Sequence, residues 1–342
     1  MGRRSKKNGL LASLFSFTLL LISLQGQANI AQPGIFQTGG SGSLSVLYPS
    51  DSIGMSKISM RSEAVFIDLY PGIGVVRGEY EMFNYSEDTI NIHLGYPMYS
   101  MYEGRNIDGH FEMLFDSLNF LRAFSNGEAQ EIKNESEGSY SDFSNWYTWE
   151  NEFLPFTSTE IIVEFAVPTN EAMVREGYNK KAIDGFAYVL ETGRIWADSI
   201  KKGTVLIRLN DLDFKNIEGV SPVHVFKVNV DEGFLLYEFE NLEPNYTDNV
   251  IITLNESSES DFPGSFEEAE MYFSNIKDLS EIETDKIEWE EKTFANPFEL
   301  PTPATTYAFL FIIIALVIGA IIVLFIIFRK TLSTLFGFFK SR

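Results

Sequence analysis

Residues 76–97 read VRGEYEMFNYSEDTINIHLGYP, and their pattern decides the fold class. Val76, Gly78, Tyr80 and Met82 alternate with Arg77, Glu79 and Glu81. Asn84 to Asp88 then supplies turn residues, after which Ile90, Ile92, Leu94 and Tyr96 alternate with Asn91, His93 and Gly95. A period of two with one apolar and one polar side is the mark of a half-buried strand. The stretch therefore predicts two strands, joined as an antiparallel hairpin with one wet face.

The same period runs outward from it. Ala64–Tyr70 reads as a strand, and Asn119–Phe124 and Glu128–Lys133 flank an Asn126-Gly127 turn as a second hairpin. Trp146–Leu154 and Glu160–Val167, on either side of Pro155–Thr159, predict a third. Ala187–Glu191, Thr204–Leu209, Val223–Val230, Phe234–Glu240 and Asn249–Leu254 read as further strands, and Thr169–Asp184 as a short helix. About a dozen short strands without a fixed repeat predict a mainly β protein, an antiparallel β-sandwich of one or two lobes. Past Asn255 the composition turns acidic. Ser265-Phe266-Glu267-Glu268 has the form of a capping box, and Phe266, Ala269, Phe273 and Ile276 follow at helical spacing.

The two ends predict a membrane topology. Arg3, Arg4, Lys6 and Lys7, the uncharged run Gly9–Leu24 and the small residues Gly26 and Ala28 form a signal-peptide pattern. Tyr307–Phe328 is uncharged for 22 residues. As a helix it would span roughly 33 Å, enough for a bilayer core. Arg329, Lys330, Lys340 and Arg342 follow it and predict a cytoplasmic end. The expected organisation is a signal peptide over 1–28, a flexible lead-in over 29–43 and a β-sandwich outside the cell membrane over 44–255. An acidic helix and stalk over 256–303, one C-terminal transmembrane helix over 304–328 and a basic cytoplasmic tail over 329–342 complete it. The expected location is a single-pass protein of a bacterial envelope. The ends carry eight of the 26 basic residues and none of the 48 acids, leaving 18 against 48 between them. Such an acidic domain repels nucleic acid.

Cysteine is absent, which removes thiolate metal sites, thiol nucleophiles and disulfides. His93, His110 and His224 lack a second histidine or a glutamate at helical spacing, and no Gly-x-Ser-x-Gly elbow is present. Calcium is the one possible cofactor: Asp211, Asp213 and Glu218 offer hard oxygen ligands close in sequence, though Lys215 and Asn216 break the EF-hand pattern. Glu150, Glu152, Glu160 and Glu164 lie in adjoining strands, where two carboxylates could meet at glycosidase separation. Trp146 and Trp149, within an aromatic cluster reaching Phe156, form a candidate binding surface.

Tyr188-Val189-Leu190-Glu191-Thr192-Gly193-Arg194-Ile195-Trp196 resembles the Tyr-x-Leu-x-Thr-Gly-x-x-Trp segment of uncharacterised bacterial extracytoplasmic β-rich proteins, a domain family of unknown function. Leu94-Gly95-Tyr96-Pro97 is similar to their Gly-Phe-Pro strand end, with Tyr96 in place of Phe. The resemblance covers about Glu63 to Leu209 and implies an exported, mostly β domain without implying an activity. Physically the segment reads as a structural corner, with Gly193 at the turn and Tyr188 and Trp196 packing the sandwich edge. The resulting expectation is a non-enzymatic binding or assembly module for an envelope protein or glycan. A carboxylate-based hydrolase and an accessory subunit of a membrane signalling or transport complex are the alternatives.

Overall fold

The computed structural model describes residues 34–36, 44–46, 51–98, 100–106, 109–115, 118–136, 145–170, 172–176, 179–255, 262–297, 314–315 and 318–319. The chain divides into two units, Met1–Arg105 with His110–Phe298, and Asn106–Gly109 with Glu299–Arg342. In the second, the described residues are the ends of its first segment and the helical positions 314–315 and 318–319.

The first unit is built on a nine-stranded sheet. In chain order its strands are β3 (Ile58–Tyr70), β4 (Ile73–Asn84), β8 (Asn119–Ser125), β9 (Glu128–Ala129), β12 (Ser158–Pro168), β15 (Ile200–Leu209), β17 (Lys227–Asn229), β18 (Phe234–Leu242) and β20 (Glu290–Glu291). Their spatial order is β20-β17-β18-β15-β3-β4-β12-β8-β9. A three-stranded sheet runs β10 (Lys133–Ser136), β11 (Asn145–Phe153), β5 (Ile90–Pro97). A six-stranded sheet contains β6 (Ser100–Asn106), β7 (Gly109–Phe115), β13 (Ala172–Glu176), β14 (Asn179–Tyr188), β16 (Ile217–Ser221) and β19 (Val250–Leu254). Two short strands, β1 (Gly34–Phe36) and β2 (Leu44–Val46), pair with each other.

Alternation explains why the nine-stranded sheet sits in the middle. On one face Val65, Ile67, Val76, Tyr80, Ile161, Val163, Val205 and Ile207 share a buried core with Ile92, Leu94, Trp149 and Phe153 of the small sheet and Phe186 and Ile252 of the six-stranded sheet. On the other face Phe66, Val75, Ala166, Leu206 and Leu236 share a second core with Ala269, Phe273, Ile276 and Leu279 of α2 (Phe266–Ser280). A sheet covered on both faces needs apolar residues at odd and even positions, so β3 and β15 carry near-continuous apolar runs. The architecture is a sandwich backed by a helix. All its ladders among the described strands are antiparallel except β3 with β15, which run parallel in the register Val65↔Val205.

Several expectations need correction. Only one of the three hairpins forms: Ser125 pairs with Glu128 across Asn126 and Gly127, whose φ values of 48° and 83° suit a tight turn. β4 pairs with β3 and β12, whereas β5 pairs with β11 in another sheet, so residues 85–89 form an arch across the sandwich. Residues 154–157 do the same between β11 and β12. Alternation fixes the buried side of a strand but not its neighbour; both segments face the same core, and the Tyr80 and Tyr96 hydroxyls meet across it at 2.5 Å. The helix expected over Thr169–Asp184 is the β13–β14 hairpin. Of Val223–Val230, Lys227–Asn229 alone is strand.

The acidic helix is present, but residues after it pack on the sandwich rather than forming a stalk. Ser265 caps α2 by accepting from the Glu268 amide, while the Glu268 carboxylate accepts from the Gly264 amide at 2.7 Å. Beyond the helix, β20 pairs with the edge strand β17, the Ala295 carbonyl accepts from the Val220 amide of β16, and Phe294 stacks on Phe214. This strap satisfies backbone groups on two sheet edges that would otherwise template strand addition. Gly34–Phe36, within the expected lead-in, pairs with Leu44–Val46 as a two-stranded ribbon.

The transmembrane expectation is overturned. Among the described residues no helix is long and apolar enough to cross a membrane, a task that needs about 20 consecutive helical residues. The placement as a single-pass cell-membrane protein, with its C-terminus cytoplasmic, falls with it. The signal-peptide reading and the basic tail lie outside the described residues.

Candidate functional site: the loop end of the sandwich

The two arches and a short helix, α1 (Asp51–Met55), meet at one end of the sandwich. Asn84 is the hub. Buried at the end of β4, it donates from its side-chain nitrogen to the carbonyls of Phe153 at 3.0 Å and Asp88 at 2.8 Å. Its side-chain oxygen accepts from the Ser86 amide and hydroxyl, both at 2.8 Å, and its amide donates to the Thr157 carbonyl. The Tyr85 amide donates to the Lys57 carbonyl at 2.9 Å, and Lys57 pairs with Asp88. α1 rests on β5 through Gly54, where an added Cβ would stand 2.7 Å from Ile90, and through the Asp51 carboxylate, which accepts from the His93 amide.

On this satisfied polar base stand four large apolar side chains. Ile53 is 72% exposed, Tyr85 46%, Leu154 50% and Phe156 57%. Phe156 also takes φ +51°, a left-handed conformation of order 1–3 kcal/mol unfavourable for a bulky side chain. Single exposed apolar residues are ordinary, but four on adjoining segments with a strained aromatic at one tip form a patch. Acids rim it: Glu87, Asp88 and Glu152 are exposed, against Lys57 and Arg61, and Arg61 lies over the Phe83 ring at 3.5 Å.

The residues singled out from the sequence fall elsewhere. Trp146 and Trp149 are 0% and 1% exposed, so they are core and not a binding surface. In β11 the odd positions 149 and 153 face the sandwich core, which places Glu150 and Glu152 on the outer face of the small sheet. In β12 Ile161 and Val163 face that core, which places Glu160 and Glu164 on the opposite, helix-facing side. The four carboxylates are therefore divided between two outward faces of the sandwich, and the expected hydrolase pair does not form. Glu164 instead holds two arginines: Arg77 donates to it at 2.6 Å, and Arg122 bonds its other oxygen while reaching Glu270 of α2 at 2.8 Å. Burial lowers the Arg77 guanidinium, and its hydrogen bonds to Glu79 and Glu164 outweigh that and hold it above its ordinary value.

The calcium candidates do not gather. Asp213 caps the turn Phe214–Asn216, accepting from the Lys215 amide, and pairs with the Lys215 ammonium at 2.8 Å. The Lys215 side chain and amide hold the Asp213 carboxyl below its usual range. Among the described residues no group of three His, Cys, Asp or Glu is arranged to hold a metal ion. Tyr188 and Trp196 are both buried, at the two ends of the short turn Leu190–Ile195. At Gly193 an added Cβ would stand 2.8 Å from Ile200.

Tyr188 belongs to a polar cluster inside the core that the sequence did not reveal. Its hydroxyl meets the Tyr80 hydroxyl at 2.7 Å and donates to Glu63 at 3.2 Å, and Tyr80 meets Tyr96. All four are buried. Burial, followed by the neighbouring tyrosines and Glu63, pushes the Tyr80 and Tyr188 phenols well above 10.0. This network links three strands and one corner within the core.

No protein-family model matches the chain, and no curated protein matches its sequence. Among solved structures, a candidate nutrient-binding protein of Legionella pneumophila is similar at 13% identity and a TM-score of 0.41, over 68% of this chain and 71% of that one. The native LTA4 hydrolase of yeast aligns at 9% identity and 0.33, and an M1 zinc metallopeptidase of Deinococcus radiodurans at 10% and 0.31. This chain spans 30% of the yeast enzyme and 42% of the Deinococcus enzyme.

Proposed function

We propose that this chain is a non-enzymatic binding module whose loop end docks on a protein partner, apolar at the centre of its contact and basic at the rim. The observation that carries the reading is the group Ile53, Tyr85, Leu154 and Phe156, exposed on three segments that a shared hydrogen-bond base holds in place. Rigid aromatic and aliphatic anchors on a fixed scaffold lose little entropy on docking and are the usual energetic centre of an interface. The exposed acids at the rim and the net charge of −22 favour a basic partner and speed its approach.

The test uses the full chain with Leu154→Ser and Phe156→Ser combined, which leaves the hydrogen-bonded base intact. Partner recovery from native extracts is expected to fall at least about tenfold, the effect of losing two anchors. For the wild type it is expected to weaken as salt rises, because rim charges are screened. Recovery unchanged by the double variant, in a protein with wild-type melting behaviour, would contradict the reading. A bound glycan, lost in the double variant, would replace the protein partner.

A further inference from the structure

We infer that the edges of β16 and β17 form a strand-addition site for an extended segment of a partner protein, one carrying a basic residue and, two positions on, an aromatic one. The strap over 288–297 shows what the site accepts, because it occupies both edges. Glu290 and Glu291 add to the nine-stranded sheet opposite Val228 and Lys227 of β17, and the Asn229 side chain donates to the Glu288 carbonyl at 3.1 Å. Further along, the Val220 amide of β16 donates to the Ala295 carbonyl at 2.9 Å. Between these backbone contacts, Phe294 stacks on Phe214 with ring centroids 6.3 Å apart, and the Lys292 ammonium lies 5.0 Å from the centroid of the same Phe214 ring. Main-chain bonds along an edge, with a side-chain pocket for specificity, are how a sheet recognises an extended peptide.

Two features make the strap an occupant of this site and not a part of the core. None of residues 288–297 is buried; Trp289 and Phe294 reach the two cores only from their margins. Release of the strap therefore leaves both cores in place, as expected of a segment at the low-stability end of a fold. The β16 edge is also shaped for a backbone. At Gly219 an added Cβ would stand 2.9 Å from the Cα and nitrogen of Pro297 and 3.1 Å from the Ala295 oxygen, all of them strap atoms. The glycine lets a main chain lie flat on the edge. A tethered strap competes at an effective concentration in roughly the millimolar range, so a partner segment enters in proportion to the fraction of chains whose strap is released.

Binding of a fluorescent peptide of residues 287–297 to the full chain, read by anisotropy, tests this apart from the loop end. Phe294→Ser in the chain loosens the tethered strap and is expected to raise the affinity for the wild-type peptide about tenfold. A peptide carrying Phe294→Ser, or a scrambled one, is expected to bind at least about tenfold less well. Gly219→Ala added to the Phe294→Ser chain is expected to abolish binding, and exchange of the Val220 amide, opened by Phe294→Ser, to slow when peptide is added. Lys292→Ala loosens the strap without touching either core, serves where Phe294→Ser fails to fold, and is expected to raise the affinity about two- to fivefold. No binding by either loosened chain, or binding that Gly219→Ala leaves unchanged, would overturn the site. Wild-type dimers that hold their straps exchanged and take up no peptide would give the site to a second copy and overturn the separate partner.

Discussion

Phe273→Ala is expected to lower the stability of the folded chain by about 3–5 kcal/mol, read as a fall in the urea midpoint with little change in slope. The ring is buried in the second core, between α2 and the middle of the nine-stranded sheet, and the Arg122 guanidinium lies over it at 4.5 Å. Its truncation removes a large apolar side chain and opens a cavity that the sheet beneath cannot fill. The sequence predicts this helix, with Phe273 on its apolar stripe, but not the sheet face against which it packs. A loss below about 1 kcal/mol would mean that α2 does not form a structural layer.

Above pH 10 the stability is expected to fall by roughly 3 kcal/mol per pH unit from Tyr80 and Tyr188 alone. The sign follows from their environment. Burial holds both phenols protonated in the folded state well above 10.0, while the unfolded chain ionises them near that value. The unfolded state therefore binds fewer protons in this window, and the stabilisation present below pH 10 is lost as pH rises. Tyr237, pushed up to about 12 by burial and then by Asp248, adds to the slope between those values. Tyr188→Phe is expected to remove roughly 1 kcal/mol per pH unit of it, about one group's share. Stability that stays level to pH 11 in the wild type would show that water reaches these phenols and that the core cluster is open.

The strands were legible because each needs a period of two, and their buried faces followed from the same pattern. Val76, Tyr80, Ile92 and Leu94 all face the core as their alternation requires. Pairing was not legible. A hairpin and a sandwich arch both bring two apolar faces to one core, and the five-residue link Tyr85–Thr89 serves either. Nor can local pattern reveal that β3 lies parallel to β15, roughly 140 residues away in sequence, since that ladder depends on which strands fill the gap between them. The capping box announced α2 correctly, yet the carboxylate reaches the Gly264 amide, and the covered face of the sheet was hidden in the extra apolar residues of β3.

The candidate site was nearly invisible for a related reason. Tyr85 sits in a polar turn and Phe156 follows a proline, positions where an apolar residue signals little by itself. Their meaning comes from the arches, which bring segments about 70 residues apart onto the Asn84 hub. The tryptophans drew notice because large aromatics often mark contact surfaces, but Trp149 lies directly opposite Leu94 in the register and shares its inward face.

A photo-reactive residue placed at position 156 tests the loop-end account most directly. A second at position 271, where Met271 is equally exposed on the outer side of α2, serves as the control. In cells carrying the full chain, position 156 is expected to yield a discrete protein adduct that position 271 does not, and Leu154→Ser is expected to remove it. Adducts of the same mass from both positions, or none from position 156 while position 271 reacts, would contradict the account and move the interface away from the loop end.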